Sequence, residues 1–297
     1  MSINHFVRCL LVFFIHCQCL LAQEDSFTKE VYSYKGTSLP YRKTAVGRND
    51  PGTSLIVNLH GGSAKGNDNE AQLREPGIDS ICSWLKVHGR NALLIVPQCP
   101  QDKSWAGPLS GAVKSLLQTF IDKGVADGNR VYVLGGSMGG TGTWHMTDRY
   151  PAFFAAAMPV AGNPEGLAAE AVSQTPVCTV MGTADAMMDM GSVEYFIGEM
   201  RRLGATCRMD IEQGWTHEDV CQRSYSAERL EWVFSHSRNT SSSMDRAAPA
   251  DDSLPLSVCW YDLSGLRIES ASSQHGIYLR QTQYANGSVV CEIMNAH

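Results

Sequence analysis

Arg130-Val131-Tyr132-Val133-Leu134-Gly135-Gly136-Ser137-Met138-Gly139-Gly140-Thr141-Gly142-Thr143 reads as a short β-branched strand, a glycine-packed turn and the start of a helix. Inside it lies Gly135-x-Ser137-x-Gly139. In a chain with 27 glycines among 297 residues the pattern alone says little, because about 0.2 copies arise by chance and only the surrounding structure gives it meaning. The context agrees here. Val131 to Leu134 is a continuous apolar run, as in a strand buried on both faces. Thr143 to Tyr150 has a helix-compatible composition. A serine on a sharp strand-to-helix turn projects its hydroxyl above the sheet edge, and flanking glycines permit the close backbone approach of such a turn.

Strands and helices alternate around this stretch. Glu30 to Val46 reads as a leading β-hairpin around Lys35-Gly36-Thr37, followed by the turn Asn49-Asp50-Pro51-Gly52. Ser54 to Leu59 is an apolar strand that stops at His60-Gly61-Gly62. Asp79 to Val87 is helical, Ala92 to Val96 a strand, and Ser110 to Ile121 an amphipathic helix with Val113, Leu116, Leu117 and Phe120 on one face. After the opening stretch come a strand at Phe154 to Pro159, a helix at Glu165 to Val172, a strand at Val177 to Met181, a helix at Val193 to Arg202, a strand at Cys207 to Ile211 and a helix at Ala227 to Phe234. Repeated βα units of this kind predict a mainly parallel sheet covered by helices on both faces, an α/β fold.

A serine hydroxyl needs a base, a group that orients the base, and donors for the oxyanion. The carboxylates after the Val177 to Met181 strand are Asp185 and Asp189. Asp185 is nearer the strand end and is the expected acid, whereas Asp189 reads as the start or cap of the next helix. His217, in Gly214-Trp215-Thr216-His217-Glu218, is the expected base, being the histidine in a post-strand loop after both Ser137 and Asp185. The Gly62 and Met138 N–H groups are the expected oxyanion donors, with His60 tying its loop down. Trp105 and Trp215 are candidate substrate-lining residues. No metal or organic cofactor is called for.

Leu59-His60-Gly61-Gly62, Pro97-Gln98-Cys99-Pro100 with Trp105, Asn129 to Gly140, Arg149 to Ala157, Gly182-Thr183-Ala184-Asp185 and Gly214-Trp215-Thr216-His217 together resemble the α/β-hydrolase superfamily. More narrowly they resemble its secreted esterase branch, with feruloyl and acetylxylan esterases, phospholipase/carboxylesterase-like enzymes and peptidases. The resemblance spans roughly Tyr32 to Phe234. It implies Ser137 as nucleophile, Asp185 as acid and His217 as base. Gly136 departs from it, since many relatives carry a bulkier residue there.

The formal charge of −6 argues against a nucleic-acid partner. Residues 1–22 read as a signal peptide, with Arg8, an apolar core from Leu10 to Ile15, and Leu20-Leu21-Ala22 as the cleavage site. The expected catalytic domain is 23–235. A Ser/Ala/Pro-rich linker, 236–254, leads to a small β-sandwich at 255–297, in which Asn286-Gly287 marks a hairpin. Val258 to Gly265 and Gly276 to Leu279 resemble the C-terminal sorting domain of bacterial type IX secretion cargo, which implies the outer-membrane secretion machinery as a partner. The chain end, Ile293-Met294-Asn295-Ala296-His297, departs from that pattern. Of the cysteines left after cleavage, Cys207 with Cys221 and Cys259 with Cys291 are the candidate disulfides in an exported chain. The sequence therefore predicts a secreted serine esterase acting on a small-molecule or polysaccharide ester, acetyl or feruloyl. The alternatives are a serine peptidase of the same fold, or a carbohydrate-binding surface protein using Trp105, Trp215 and Trp260.

Overall fold

Along Val131–Gly136 (β5) the side chains alternate between two cores. Val131 and Val133 pack on one face of the sheet, Tyr132 and Leu134 on the other. Period-two alternation in a strand with no polar member is what burial on both faces requires. The computed structural model describes residues 27–48, 50, 52–238, 255–261, 267–268, 276–284 and 289–296.

The first eight strands are Thr28–Tyr34 (β1), Thr37–Val46 (β2), Ser54–Leu59 (β3), Ala92–Pro97 (β4), β5, Ala156–Val160 (β6), Val177–Gly182 (β7) and Cys207–Glu212 (β8). They form one sheet in the order β1-β2-β4-β3-β5-β6-β7-β8. β1–β2 and β2–β4 are antiparallel, and every other pair is parallel. This is the doubly covered sheet that the sequence predicts. Helices Pro108–Asp122 (α2), Met138–Arg149 (α3) and Met190–Arg202 (α5) cover one face through Leu116, Trp144 and Ile197. Helices Gly77–Val87 (α1), His217–Arg223 (α6) and Ala227–Ser235 (α7) cover the other through Ile81, Val220 and Val233. The segment Glu165 to Val172 is helical only over its last turn, Ala169–Val172 (α4).

Edge strand β8 carries Arg208, Asp210 and Glu212 at alternate positions. Arg208 pairs with Asp210 at 2.7 Å, and Arg229 of α7 reaches both Asp210, at 2.7 Å, and Glu212. Charges in this register close the edge against further strand pairing.

Two cysteine expectations are corrected. Cys207 and Cys221 are free thiols. They sit on opposite faces of the sheet, Cys207 packed against one core and Cys221 against the other. Cys259 and Cys291 lie on strands that flank a third, both in register with Gln281. Two strand spacings put them about 9.6 Å apart, beyond the reach of a disulfide.

The chain divides into two compact units, one ending at His236 and the other beginning at Ser237. In the second, Pro255–Tyr261 (β9), Arg267–Ile268 (β10), Gly276–Tyr284 (β11) and Val289–Ala296 (β12) form a single antiparallel sheet ordered β10-β9-β11-β12. A sandwich was the expectation; the described residues make one layer. The expected signal peptide, 239–254 of the expected linker and Asn286-Gly287 lie outside the described residues. Among the described residues no helix is long and apolar enough to cross a membrane.

The crossing of α3 over β3 is the tightest point near the turn. A Cβ on Gly139 would lie 1.8 Å from the Leu59 carbonyl oxygen. Backbone cannot swing aside as a side chain can, so Gly139→Ala should lower stability by about 3 kcal/mol, the upper end of overpacking costs. Exposed Gly198, inside α5 with open space around it, is the control. Gly198→Ala should raise stability by roughly 0.5–1 kcal/mol through helix propensity. Urea unfolding of both variants checks the pair; a wild-type midpoint for Gly139→Ala would contradict this packing.

Candidate active site

Ser137 stands between β5 and α3 with φ 56° and ψ −120°. Few non-glycine residues adopt such a backbone, and holding one there costs on the order of 1–3 kcal/mol. The turn is pinned on both sides. The Ser137 N–H donates to the Val160 carbonyl at the end of β6 (3.0 Å), and Thr141 N–H donates to the Ser137 carbonyl (3.0 Å). Met138 begins α3, so its N–H is one of the helix's unpaired leading donors.

Asp185 lies in the tight turn after β7, its N–H bonded to the Gly182 carbonyl. Its Oδ1 accepts the Met187 and Met188 N–H groups at 2.8 and 3.0 Å. Its carboxyl is fully buried, and Oδ2 lies 2.9 Å from His217 Nδ1. Asp189 caps α5 instead, accepting from Gly191 and Ser192. Of the two carboxylates that follow β7, Asp185, the expected acid, is the one beside a histidine. His217 is the first residue of α6, and a reciprocal box between Thr216 and Asp219 sets where that helix starts. The two loops are laced together by Thr183 N–H to the Glu212 carbonyl, Ala184 N–H to the Trp215 carbonyl and Gly214 N–H to Thr183 Oγ1. On its other side the imidazole places Nε2 2.8 Å from Ser137 Oγ. With Nδ1 donating to the carboxylate, Nε2 is the acceptor for the serine hydroxyl.

The chain after β3 forms the facing wall. Cys99 N–H donates to His60 Nε2 (2.9 Å), so Nδ1 carries the ring proton and donates to the Gly61 carbonyl (2.6 Å). That carbonyl and the Gly62 N–H belong to one peptide plane, so the histidine orients the Gly62 donor. Gly62 opens a 3-10 turn, Gly62–Ala64. Gly61, Gly62, Glu75, Ser137, His217 and Cys221 line a cavity of about 480 Å³, with Arg74 and Met187 among its other walls.

Glu75 and Cys221 were not anticipated from the sequence. Burial raises the Glu75 pKa, opposed by the Gly61 N–H that its Oε2 accepts at 3.0 Å. Cys221 Sγ lies 3.9 Å from His217 Nε2. Burial, with the Glu75 and Asp185 carboxyls adding to it, pushes this thiol up to about 12. It is a neutral thiol, without the thiolate character that a reactive cysteine needs. The capping pattern Thr216-x-x-Asp219 was the signal that could have revealed α6 and hence Cys221 one turn beyond His217.

Neither tryptophan lines the cavity. Trp105 is 1% exposed. Its indole donates to the His60 carbonyl (2.9 Å) and its ring stands edge-on to the imidazole at 5.0 Å. The substrate-lining and sugar-platform expectations for Trp105 are therefore corrected: it is packed behind the site. Trp215 is half-buried, with the Arg223 guanidinium 5.7 Å from its ring. The Trp260 side chain lies outside the described residues. Among the described residues no three His, Cys, Asp or Glu side chains gather to hold a metal ion.

No protein-family model matches the chain, and no curated protein does. Solved structures do. A thermostable esterase is 25% identical with a TM-score of 0.64 over 71% of this chain and 63% of that one. The aligned region thus spans less than two thirds of that esterase. The feruloyl esterase module from Clostridium thermocellum, complexed with sinapinate, is 15% identical with a TM-score of 0.57, covering 71% of this chain and 89% of that one. An acylaminoacyl peptidase from Pyrococcus horikoshii is 11% identical with a TM-score of 0.52, covering 74% and 42%. The chain has the α/β-hydrolase fold.

His60 carries a pH signature. Burial lowers its pKa from 6.5 to about 4. The unfolded chain then binds a proton that the folded chain refuses, so the neutral ring's contribution is complete above pH 6.5 and is lost as pH falls towards 4. The loss amounts to roughly 3 kcal/mol. His60→Gln should flatten the stability profile between pH 6.5 and 4 relative to wild type. Parallel profiles from urea titrations at several pH values would refute this.

Proposed function

We propose that this chain is a serine carboxylic-ester hydrolase working through an acyl-enzyme. The observation that carries the reading is the continuous hydrogen-bonded line from Asp185 Oδ2 through His217 to Ser137 Oγ, with 2.9 and 2.8 Å links, on a serine held at positive φ beside an open cavity.

In this mechanism Ser137 Oγ attacks the ester carbonyl carbon while its proton passes to His217 Nε2. Asp185 holds the imidazole in the required tautomer and stabilises the imidazolium. The carbonyl oxygen, now anionic, takes hydrogen bonds from the Gly62 and Met138 N–H groups. Collapse of the tetrahedral species expels the alcohol, which receives the proton from Nε2. Water then attacks the acyl-serine by the same route in reverse, releasing the acid and restoring Ser137.

The substrates we favour are acetyl or feruloyl esters of plant polysaccharide. Support comes from the motifs shared with secreted esterases and from fold neighbours that include a feruloyl esterase module. A cavity of about 480 Å³ is large enough for a single aromatic acyl group. Ser137→Ala should lower ester hydrolysis by about 10⁴-fold or more and abolish fluorophosphonate labelling. Side-by-side assay of p-nitrophenyl acetate, methyl ferulate and aminoacyl anilides tests the substrate class. Near-normal turnover by Ser137→Ala would sink the mechanism, and preference for the anilides would favour the peptidase.

Export belongs to the same proposal, supported by the charged, apolar and small-residue order of residues 1–22 and by the sorting-like pattern of the tail. N-terminal sequencing of protein recovered outside the producing cell should begin at Gln23; an intact Met1 would refute cleavage there.

A further inference from the structure

We propose that Glu75 is a positioning residue for the oxyanion site. By accepting the Gly61 N–H, it holds the Gly61–Gly62 backbone so that the Gly62 N–H faces the Ser137 hydroxyl. The proposal rests on the serine-hydrolase reading above.

The argument starts from what Gly61 backs onto. A Cβ there would lie 3.6 Å from Ser137 Cβ and 3.6 Å from the Gly136 carbonyl oxygen, so this residue sits directly against the nucleophile's turn. Two side chains grip it, one from the preceding residue and one from 14 positions further along the chain. His60 Nδ1–H holds its carbonyl at 2.6 Å, and Glu75 Oε2 holds its N–H at 3.0 Å. The first bond orients the Gly61–Gly62 peptide and the second orients the peptide before it. Together they remove the crankshaft rotation by which a glycine pair would otherwise turn the Gly62 N–H away from the cavity. Nothing packs within 4 Å of where a Gly62 Cβ would stand, so beyond the 3-10 turn that Gly62 opens these two bonds set its orientation.

The placement also explains the glycine at 136. A Cβ on Gly136 would come 3.1 Å from Glu75 Oε1 and 3.5 Å from Cys221 Sγ. The space a bulkier residue would take above the turn is used by the glutamate that reaches across to Gly61. The carboxylate comes from the segment between the 3-10 turn Ala71–Arg74 and α1, with its own carbonyl bonded to Ile78 N–H at 3.1 Å. It is therefore anchored independently of the loop it holds.

Steady-state kinetics on p-nitrophenyl acetate test this with four variants of the full chain. Glu75→Leu removes the acceptor. Glu75→Asp draws the carboxylate back by about 1.5 Å, out of hydrogen-bond reach. Glu75→Gln restores an acceptor oxygen without the charge, and Ser137→Ala reports on the nucleophile. A misaligned donor costs roughly 10- to 100-fold, so Glu75→Leu and Glu75→Asp should lose that much in kcat. KM should stay within about 2-fold, because the interaction acts on the transition state. Glu75→Gln should recover kcat to within about 3-fold of wild type. Wild-type kcat in Glu75→Leu or Glu75→Asp overturns the proposal. So does an effect confined to KM, which would make Glu75 a substrate contact, and so does a Glu75→Gln variant as slow as Glu75→Leu. If Glu75→Leu does not fold, by circular dichroism, the Asp and Gln variants decide between the same outcomes. Loss at Ser137 without loss at Glu75 overturns this proposal alone; retained hydrolysis by Ser137→Ala overturns the nucleophile assignment, and this proposal with it.

Discussion

Everything at the top of this sheet depends on one backbone conformation, the positive φ of Ser137. A residue held there is uphill by on the order of 1–3 kcal/mol, so the surrounding structure must over-determine it. It does so with backbone. β6 supplies the Val160 carbonyl to the Ser137 N–H, and the first turn of α3 closes through Thr141. α3 is drawn so close to β3 that Gly139 touches the Leu59 carbonyl. The strands that supply these contacts are the immediate neighbours of β5, namely β3 and β6. Because β3 is one of them, the His60-Gly61-Gly62 segment emerges beside the serine.

The rest of the site follows from the parallel arrangement. β7 and β8 end on the same side of the sheet as β5, so Asp185 and the start of α6 arrive at one edge although Ser137 and His217 are 80 residues apart. Each side chain is then fixed locally. Asp185 folds its Oδ1 over two backbone donors and leaves Oδ2 for the imidazole. His217 is aimed by the cap that starts its helix. The surroundings select among chemically plausible groups: the thiol of Cys221, close to the same imidazole, is kept neutral by burial. Behind the facing wall, Trp105 and the Cys99 N–H hold His60, and His60 holds Gly61. Trp105, read from the sequence as a ligand-binding aromatic, is here a support for the His60-Gly61 backbone.

The sequence was most legible where a strand is buried on both faces. β3 from Ser54 to Leu59 has the predicted bounds, and β4, β5 and β7 agree to within one or two residues. An unbroken apolar run has few other places to go. Short elements were less legible. α6 is seven residues long and mostly polar, so its apolar periodicity is too brief to register, and Glu165 to Val172 is helical only in its last four residues. Disulfide pairing was not legible at all, because proximity in sequence carries no information about which sheet face a side chain takes. Cys207 and Cys221 are 14 positions apart and on opposite faces.

The sequence by itself determined the alternation of strands and helices, the glycines that let a serine stand on a sharp turn, and the set of residue types from which a nucleophile, base and acid could be drawn. These are properties of local composition and period. The tertiary structure alone decided that Trp105 lies behind the site and not in it, and that Glu75 reaches Gly61 across the space left open at Gly136. Those outcomes depend on strand order and on which side chain occupies a given volume first. That information exists only once segments far apart in the chain are packed against one another.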